Sequence, residues 1–161
     1  MSIRFIPRAV WAFIAVSVLL AGNAEALMLP VSVEELAVRS KRIAHGHIIR
    51  QESAWNEART AIYTDVTLAV ERTAVGVEAA ELTFRIDGGE VDGIGMATSV
   101  APHFETGQEL VVFLEDRAGA ERLVSHSQGA FEVRHGRVSS REGGLSVDEL
   151  FERALTARKD R

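Results

Sequence analysis

The chain has 161 residues, a formal net charge of −5 and no cysteine. The absence of cysteine excludes thiol nucleophiles, thiolate zinc sites and disulfide cross-links. The net negative charge and the lack of a cluster of basic residues argue against binding to the phosphate backbone of a nucleic acid. These properties favour a domain that is held together by packing alone and whose partner is neither DNA nor RNA.

The N-terminus has the layout of a secretory signal peptide. Arg4 and Arg8 form a basic start, residues 10–21 are almost continuously apolar, and alanines stand at positions 24 and 26. This pattern predicts cleavage after Ala26 and export to the periplasm or the external medium. The apolar run is shorter than the roughly 20 residues that a membrane-spanning helix needs. We therefore predict a signal peptide over residues 1–26 and a chain free of the membrane after cleavage.

The part that follows begins with a short helix and continues into strands. Ser32 and Glu35 form a capping-box pattern, which predicts a helix over residues 33–41. Alternation of apolar and polar residues predicts strands over residues 43–49, 62–75 and 82–86. The polar residues 51–59 predict a loop, and the glycine- and acid-rich residues 87–95 predict another.

The second half predicts further strands and a closing helix. Residues 110–114 are all apolar, which is typical of a strand that is buried on both faces. Short strands are expected over residues 123–125, 130–133 and 137–139. Ser146 and Glu149 repeat the capping-box pattern and predict a helix over residues 147–157. Strands of such unequal length predict a mainly β fold with a small closed barrel, because closure removes exposed sheet edges.

The chain resembles a group of uncharacterised exported bacterial proteins in five segments: LAVRSKRIAHGHIIRQESAW, IYTDVTLAVERTAVG, LTFRIDGGEVDGIGM, APHFETGQELVVFL and SQGAFEV. The order of these five segments also has a more remote similarity to that in the N-terminal domain of tissue inhibitors of metalloproteinases and in netrin-like modules. Those domains are OB-fold barrels. The resemblance implies a single OB-like barrel domain over residues 27–161. The inhibitors chelate the zinc of their target through an N-terminal cysteine, so that mechanism does not carry over to this cysteine-free chain.

Two histidines are the first candidate for a metal site. His45 and His47 stand two residues apart in a predicted strand, so their imidazoles share one face. Such a pair can hold a metal ion if a third ligand arrives from elsewhere, with His103, His126 and His135 as candidates. The alternative is a histidine pair on the barrel face without an ion.

An acidic loop is the second candidate. Asp87, Glu90 and Asp92 lie among four glycines, and their oxygens could hold calcium on a flexible backbone. The order does not match an EF-hand loop, so a solvated turn is the alternative. No organic cofactor is predicted.

Two aromatic residues are candidates for contact with a partner. Trp55 stands in the polar segment 51–59, and Tyr63 opens the long predicted strand. An indole in such a segment either folds back as a lid on the barrel or serves as an interaction anchor. No catalytic set of side chains stands out, so we expect an exported, non-catalytic binding module whose partner is another exported protein, with proteases as one candidate class. The alternative is a metal-binding protein or metal-dependent enzyme that uses His45 and His47.

Overall fold

The computed structural model describes residues 29–98, 101–139 and 144–160. The predicted signal peptide lies outside these ranges. Of the helices that are described, none is long and apolar enough to cross a membrane. In chain order the elements are α1 (Val33–Arg39), β1 (Arg42–Trp55), β2 (Ile62–Val75), β3 (Glu81–Asp87), β4 (Gly89–Val91), β5 (Ile94–Met96), β6 (Glu109–Arg117), β7 (Ala120–Leu123), a 3-10 turn (His126–Gly129), β8 (Ala130–Arg134), β9 (Arg137–Val138) and α2 (Val147–Lys159).

Five strands form a barrel-like ring. The main sheet has the order β1-β2-β3-β7-β6-β8-β9, and an additional pairing between β1 and β6 brings its first strand back to the fifth. All neighbours in the ring are antiparallel except β3 and β7, which run parallel and share the single registered pair Arg85↔Arg122. The predicted mainly β, OB-like fold class is confirmed, with a ring that is only partly closed between β3 and β7.

A close approach between β1 and β2 bends the barrel wall. Gly46 lies opposite Val70, and a Cβ atom at Gly46 would lie 2.0 Å from the carbonyl oxygen of Ala69. Only glycine therefore fits at this point of β1. The pairing of the two strands also shifts register three times along its length, and such irregularities increase the local twist of long strands.

The buried side chains form two clusters on the two faces of the sheet. Inside the barrel, Phe84, Val66 and Leu68 pack with Leu110, Val112 and Leu114 of β6. Outside it, Val111 and Phe113 of β6 pack against the two helices. The prediction that residues 110–114 are buried on both faces is confirmed. Each such side chain stabilises the fold by about 1.5–3 kcal/mol through the removal of apolar surface from water.

The two helices pack on each other and on the outer face of the barrel. The Ser32 hydroxyl accepts a hydrogen bond from the backbone N–H of Glu35 at the start of α1, and Ser146 and Glu149 form a complete capping box at the start of α2. Near the end of α2, the guanidinium of Arg158 donates to the carbonyl oxygens of Ala37 and Ser40 at 2.6 and 2.7 Å. These bonds add a charged donor to two carbonyls at the C-terminal end of α1, where the carbonyl of Ala37 also accepts from the backbone N–H of Ser40.

Two predicted loops are wrong over most of their length, although residues 56–59 do form the turn between β1 and β2. Residues 51–59 were expected to form a loop, but β1 continues through Trp55 because its distal half pairs in register with residues 62–67 of β2. Residues 87–95 were also expected to form a loop and instead contain the β4–β5 hairpin. Its turn has positive φ angles at Asp92 and Gly93, 53° and 77°, as a two-residue type I′ turn requires.

Candidate functional site

The predicted histidine pair lies on the outer face of the barrel between β2 and β6. His45 is buried, with 6% of its surface exposed, and the His47 side chain is 42% exposed. On the β6 side, His47 pairs directly with Glu109. On the β2 side, His45 pairs with Arg72 and Gly46 pairs with Val70, so Glu71 is the extra residue of a β-bulge. The two carboxylates therefore flank the two imidazoles from opposite sides.

The four side chains of His45, His47, Glu71 and Glu109, which we call the His–Glu cluster, are in close contact. His45 Nε2 lies 2.8 Å from Glu109 Oε1, and His47 Nδ1 lies 2.6 Å from Glu71 Oε1. The second contacts are longer: His45 Nδ1 to Glu71 Oε2 is 3.6 Å, and His47 Nε2 to Glu109 Oε2 is 3.9 Å. Each carboxylate thus reaches both rings.

The contact with Glu109 fixes which nitrogen carries the proton when the His45 ring is neutral. An ionised carboxylate only accepts hydrogen bonds, so the His45 Nε2–H must be the donor to Glu109. In a neutral ring this leaves Nδ1 with a bare lone pair. That atom is buried and has no hydrogen-bond partner. The unsatisfied nitrogen faces the Glu71 carboxylate, which offers a second lone pair rather than a proton.

The carboxylates of Glu71 and Glu109 have only the two histidines as ion-pair partners within the described residues. Arg72, the neighbour of Glu71, is directed elsewhere: it pairs with Asp148 at 2.6 Å and lies over the Phe151 ring. As the side chains stand, no three histidine, aspartate or glutamate side chains of the described segments are arranged to hold a metal ion.

The acidic candidates of the hairpin lie in a different place. Asp87 ends β3 and accepts a hydrogen bond from Arg122 at 2.8 Å. Glu90 and Asp92 are exposed on β4 and on the hairpin turn. Their carboxylates are not part of a metal-binding arrangement within the described ranges.

The aromatic candidates are both partly buried. Tyr63 lies on the outer face of β2 under the guanidinium of Arg85, 3.5 Å from the ring centroid. Arg85 in turn donates two hydrogen bonds to Asp65, at 2.7 and 2.8 Å, and this carboxylate raises the pKa of the guanidinium. Trp55 is the last residue of β1 and pairs with Ile62. Tyr63 is thus stacked under Arg85, and Trp55 lies at the end of a strand rather than in a loop.

A groove that the sequence analysis did not anticipate lies beside the β4–β5 hairpin. It encloses about 780 Å³. Gly89 packs against the hydroxyls of Ser53 and Thr64, and a Cβ atom there would lie 2.4 Å from both hydroxyl oxygens. We call this the hairpin groove, and it is lined by Gln51, Ser53, Thr64 and residues 86–90, 95–98 and 101–104.

No protein-family model matches the chain, and no curated protein matches it. The resemblance to exported bacterial proteins and to the inhibitor domains therefore stays a prediction.

Sequence reasoning identified the histidine pair of the cluster, and it named Asp87, Glu90 and His103 of the groove lining only as possible metal ligands. Glu71 has the same parity as Tyr63 and Asp65 in β2, which places it on the outer face, but its position between the two histidines depends on the bulge. Glu109 precedes the apolar run of β6 and resembles any polar residue at a strand start. The glycines at 88 and 89 indicated a turn, yet the groove beside them is formed by segments distant in sequence.

Proposed function

We propose that the protein is an exported binding module, without catalytic activity of its own, that takes an extended segment of a partner protein along the β4–β5 hairpin. The observation that carries the proposal is the hairpin groove beside an open strand edge. Its volume of about 780 Å³ falls within the range of about 300–1,000 Å³ that is usual for ligand sites. The lining combines apolar side chains such as Met96 and Phe104 with hydroxyl and amide groups.

The unpaired edge of β5 favours a ligand that binds in an extended conformation. In the described part of the chain, β5 pairs with β4 alone, in a two-stranded sheet separate from the barrel. Ile94 and Met96 of β5 are 53% and 38% exposed, so the hairpin presents two large apolar side chains two residues apart to solvent. An added strand would satisfy the free main-chain groups of this edge and cover the two apolar side chains.

The sequence composition supports export of the protein and a ligand other than nucleic acid. The N-terminal pattern of residues 1–26 favours export, so the partner belongs to the periplasm or the medium. Loss of that segment removes Arg4, Arg8 and Glu25, which leaves the remainder one unit more negative than the −5 of the whole chain. This charge disfavours nucleic acid as the ligand. The resemblance to the inhibitor domains makes exported proteases the first partners to test.

A linear-peptide selection tests the proposal. The tag-free chain, purified from the exported fraction of a bacterial host, is used to select binders from a random linear peptide library. The selected peptides should lose at least tenfold in affinity for the double variant Ile94→Glu/Met96→Glu and protect the main-chain amides of β5 from hydrogen exchange.

Val77→Glu is the matched control, since Val77 is 73% exposed outside the hairpin and should leave affinity within twofold of the parent. Peptides that bind the double variant as tightly as the parent chain would refute the proposal. So would the failure of repeated selections to yield any peptide.

A further inference from the structure

We propose that the His–Glu cluster binds one divalent transition-metal ion, with His45 Nδ1 and the Glu71 carboxylate as its first two ligands and His47 as its third. Glu109 is not a ligand in this arrangement. It accepts the hydrogen bond from the other nitrogen of His45 and so keeps Nδ1 free for the metal. This site is independent of the hairpin groove.

The unsatisfied nitrogen of His45 is the strongest reason. A buried polar atom without a partner is costly, and in the described structure His45 Nδ1 is the buried side-chain nitrogen or oxygen that lacks one. It faces Glu71 Oε2 at 3.6 Å, so two electron-rich atoms point at the same space. A cation between them satisfies both atoms at once.

The spacing of these two atoms suits a metal. Zinc binds imidazole nitrogen and carboxylate oxygen at about 2.0–2.2 Å, so two ligands of a tetrahedral ion lie roughly 3.3–3.6 Å apart. The separation of His45 Nδ1 and Glu71 Oε2 is 3.6 Å. The direct hydrogen bond from His45 Nε2 to Glu109 completes the carboxylate–histidine–metal relay that orients ligand histidines in many metalloproteins.

The third ligand needs a small rearrangement. His47 Nδ1 lies 2.6 Å from Glu71 Oε1, so its ring already contacts the carboxylate that would hold the ion. In the described residues no three donors yet surround one point. The side chains that must turn are the half-exposed ones, because His47 and Glu71 are 42% and 48% exposed, whereas His45 is held by burial. Water would complete the coordination on the exposed side.

Charge and ligand type define the class of ion. Glu71 and Glu109 have no lysine or arginine ion pair in the described segments, so a divalent cation would balance both carboxylates. Two imidazoles with one carboxylate suit zinc, copper or nickel, whereas calcium and magnesium prefer an all-oxygen set. We use Zn²⁺ as the equilibrium probe and Co²⁺ as its spectroscopic substitute.

Titration of the tag-free, chelator-treated chain with each metal tests the site. Calorimetry should give one Zn²⁺ per chain, and Co²⁺ should develop visible absorption bands of a low-coordinate nitrogen- and oxygen-ligated site. Affinity should fall at least 100-fold in His45→Gln and in Glu71→Gln. Removal of the outer carboxylate in Glu109→Gln should lower affinity by about 10- to 100-fold.

His135→Gln is the matched control, because His135 is exposed in the turn between β8 and β9 and should bind metal as the parent does. His45 is buried, so His45→Gln could fail to fold. In that case Glu71→Gln is the deciding variant, because Glu71 is half exposed and its replacement should not prevent folding. Circular dichroism of the metal-free variant checks that it is folded. The proposal is overturned if the parent binds no stoichiometric metal, or if a folded Glu71→Gln binds Zn²⁺ as tightly as the parent. Neither result bears on peptide binding along β5.

Discussion

Gly46 lies against the backbone of Ala69 so closely that a Cβ atom at position 46 would lie 2.0 Å from the Ala69 carbonyl oxygen. This contact joins β1 to β2 between the two histidines of the His–Glu cluster, next to the bulge that presents Glu71. Packing of the barrel wall and arrangement of the cluster therefore depend on the same glycine.

Gly46→Ala should destabilise the fold by about 3 kcal/mol, because the atom that it meets is backbone and the strands must separate to accept a methyl group. Urea unfolding followed by circular dichroism measures the loss. Gly95→Ala is the control, since no atom lies within 4 Å of a Cβ atom there. Equal unfolding midpoints for the two variants would contradict the packing described for β1 and β2.

Arg158→Ala should lower the free energy of unfolding by about 1.5–3 kcal/mol, the range of hydrogen bonds made by charged groups. The guanidinium donates to the carbonyls of Ala37 and Ser40, and its loss leaves the end of α1 without these donors. Lys159→Ala removes an exposed cation from the same helix and should change stability by less than about 0.5 kcal/mol. Thermal unfolding of both variants compares them, and a similar loss in each would show that only charge near the helix end matters.

Glu34 makes part of the stability depend on pH. The side-chain hydrogen bond from Arg153 of α2 lowers the pKa of this carboxyl below its ordinary value of 4.5. Because the folded-state pKa is lowered, the stabilisation is present above pH 4.5 and is lost as pH falls through the folded-state value. Glu34→Gln should thus be less stable than the parent at pH 7, by at most about 0.5–1 kcal/mol because water partly screens this partly exposed pair. The difference should disappear towards pH 3.

Urea unfolding of the parent and Glu34→Gln across pH 3–7 measures this dependence. Glu152→Gln removes an exposed carboxylate from α2 and serves as the control for net charge. A gap between parent and Glu34→Gln that stays constant over this pH range would exclude the ionised Glu34–Arg153 pair as its source.

Gly89→Ala should damage the hairpin groove. The residue has φ +136°, and a methyl group would lie 2.4 Å from the hydroxyl oxygens of Ser53 and Thr64. We expect a loss of about 1–3 kcal/mol in stability and weaker binding of the selected peptides. Gly93→Ala separates the effect of backbone strain from that of the contact with the two hydroxyls, because Gly93 also has positive φ but faces open space. It should cost about 1 kcal/mol and leave peptide affinity unchanged, whereas equal effects would mean that strain alone explains both.

Patterns local in the chain predicted most of the secondary structure. The capping boxes at Ser32 and Ser146 mark the starts of both helices, because a cap depends on residues three positions apart. The apolar run at 110–114 predicted a strand with two buried faces for an equally local reason. The prediction was wrong where pairing overrides local polarity, as in the distal half of β1, whose polar residues extend because β2 lies beside them.

The sequence by itself determined the mainly β class, the two helix starts and the shared face of His45 and His47, since periodicity and capping act over a few residues. Only the tertiary structure decided what meets that histidine pair. Glu71 and Glu109 come from strands that neighbour β1 in space, and a bulge near Gly46 sets the position of one of them. Strand order and bulges depend on contacts between residues far apart in the chain. No local pattern of side chains could therefore have identified this cluster or the hairpin groove.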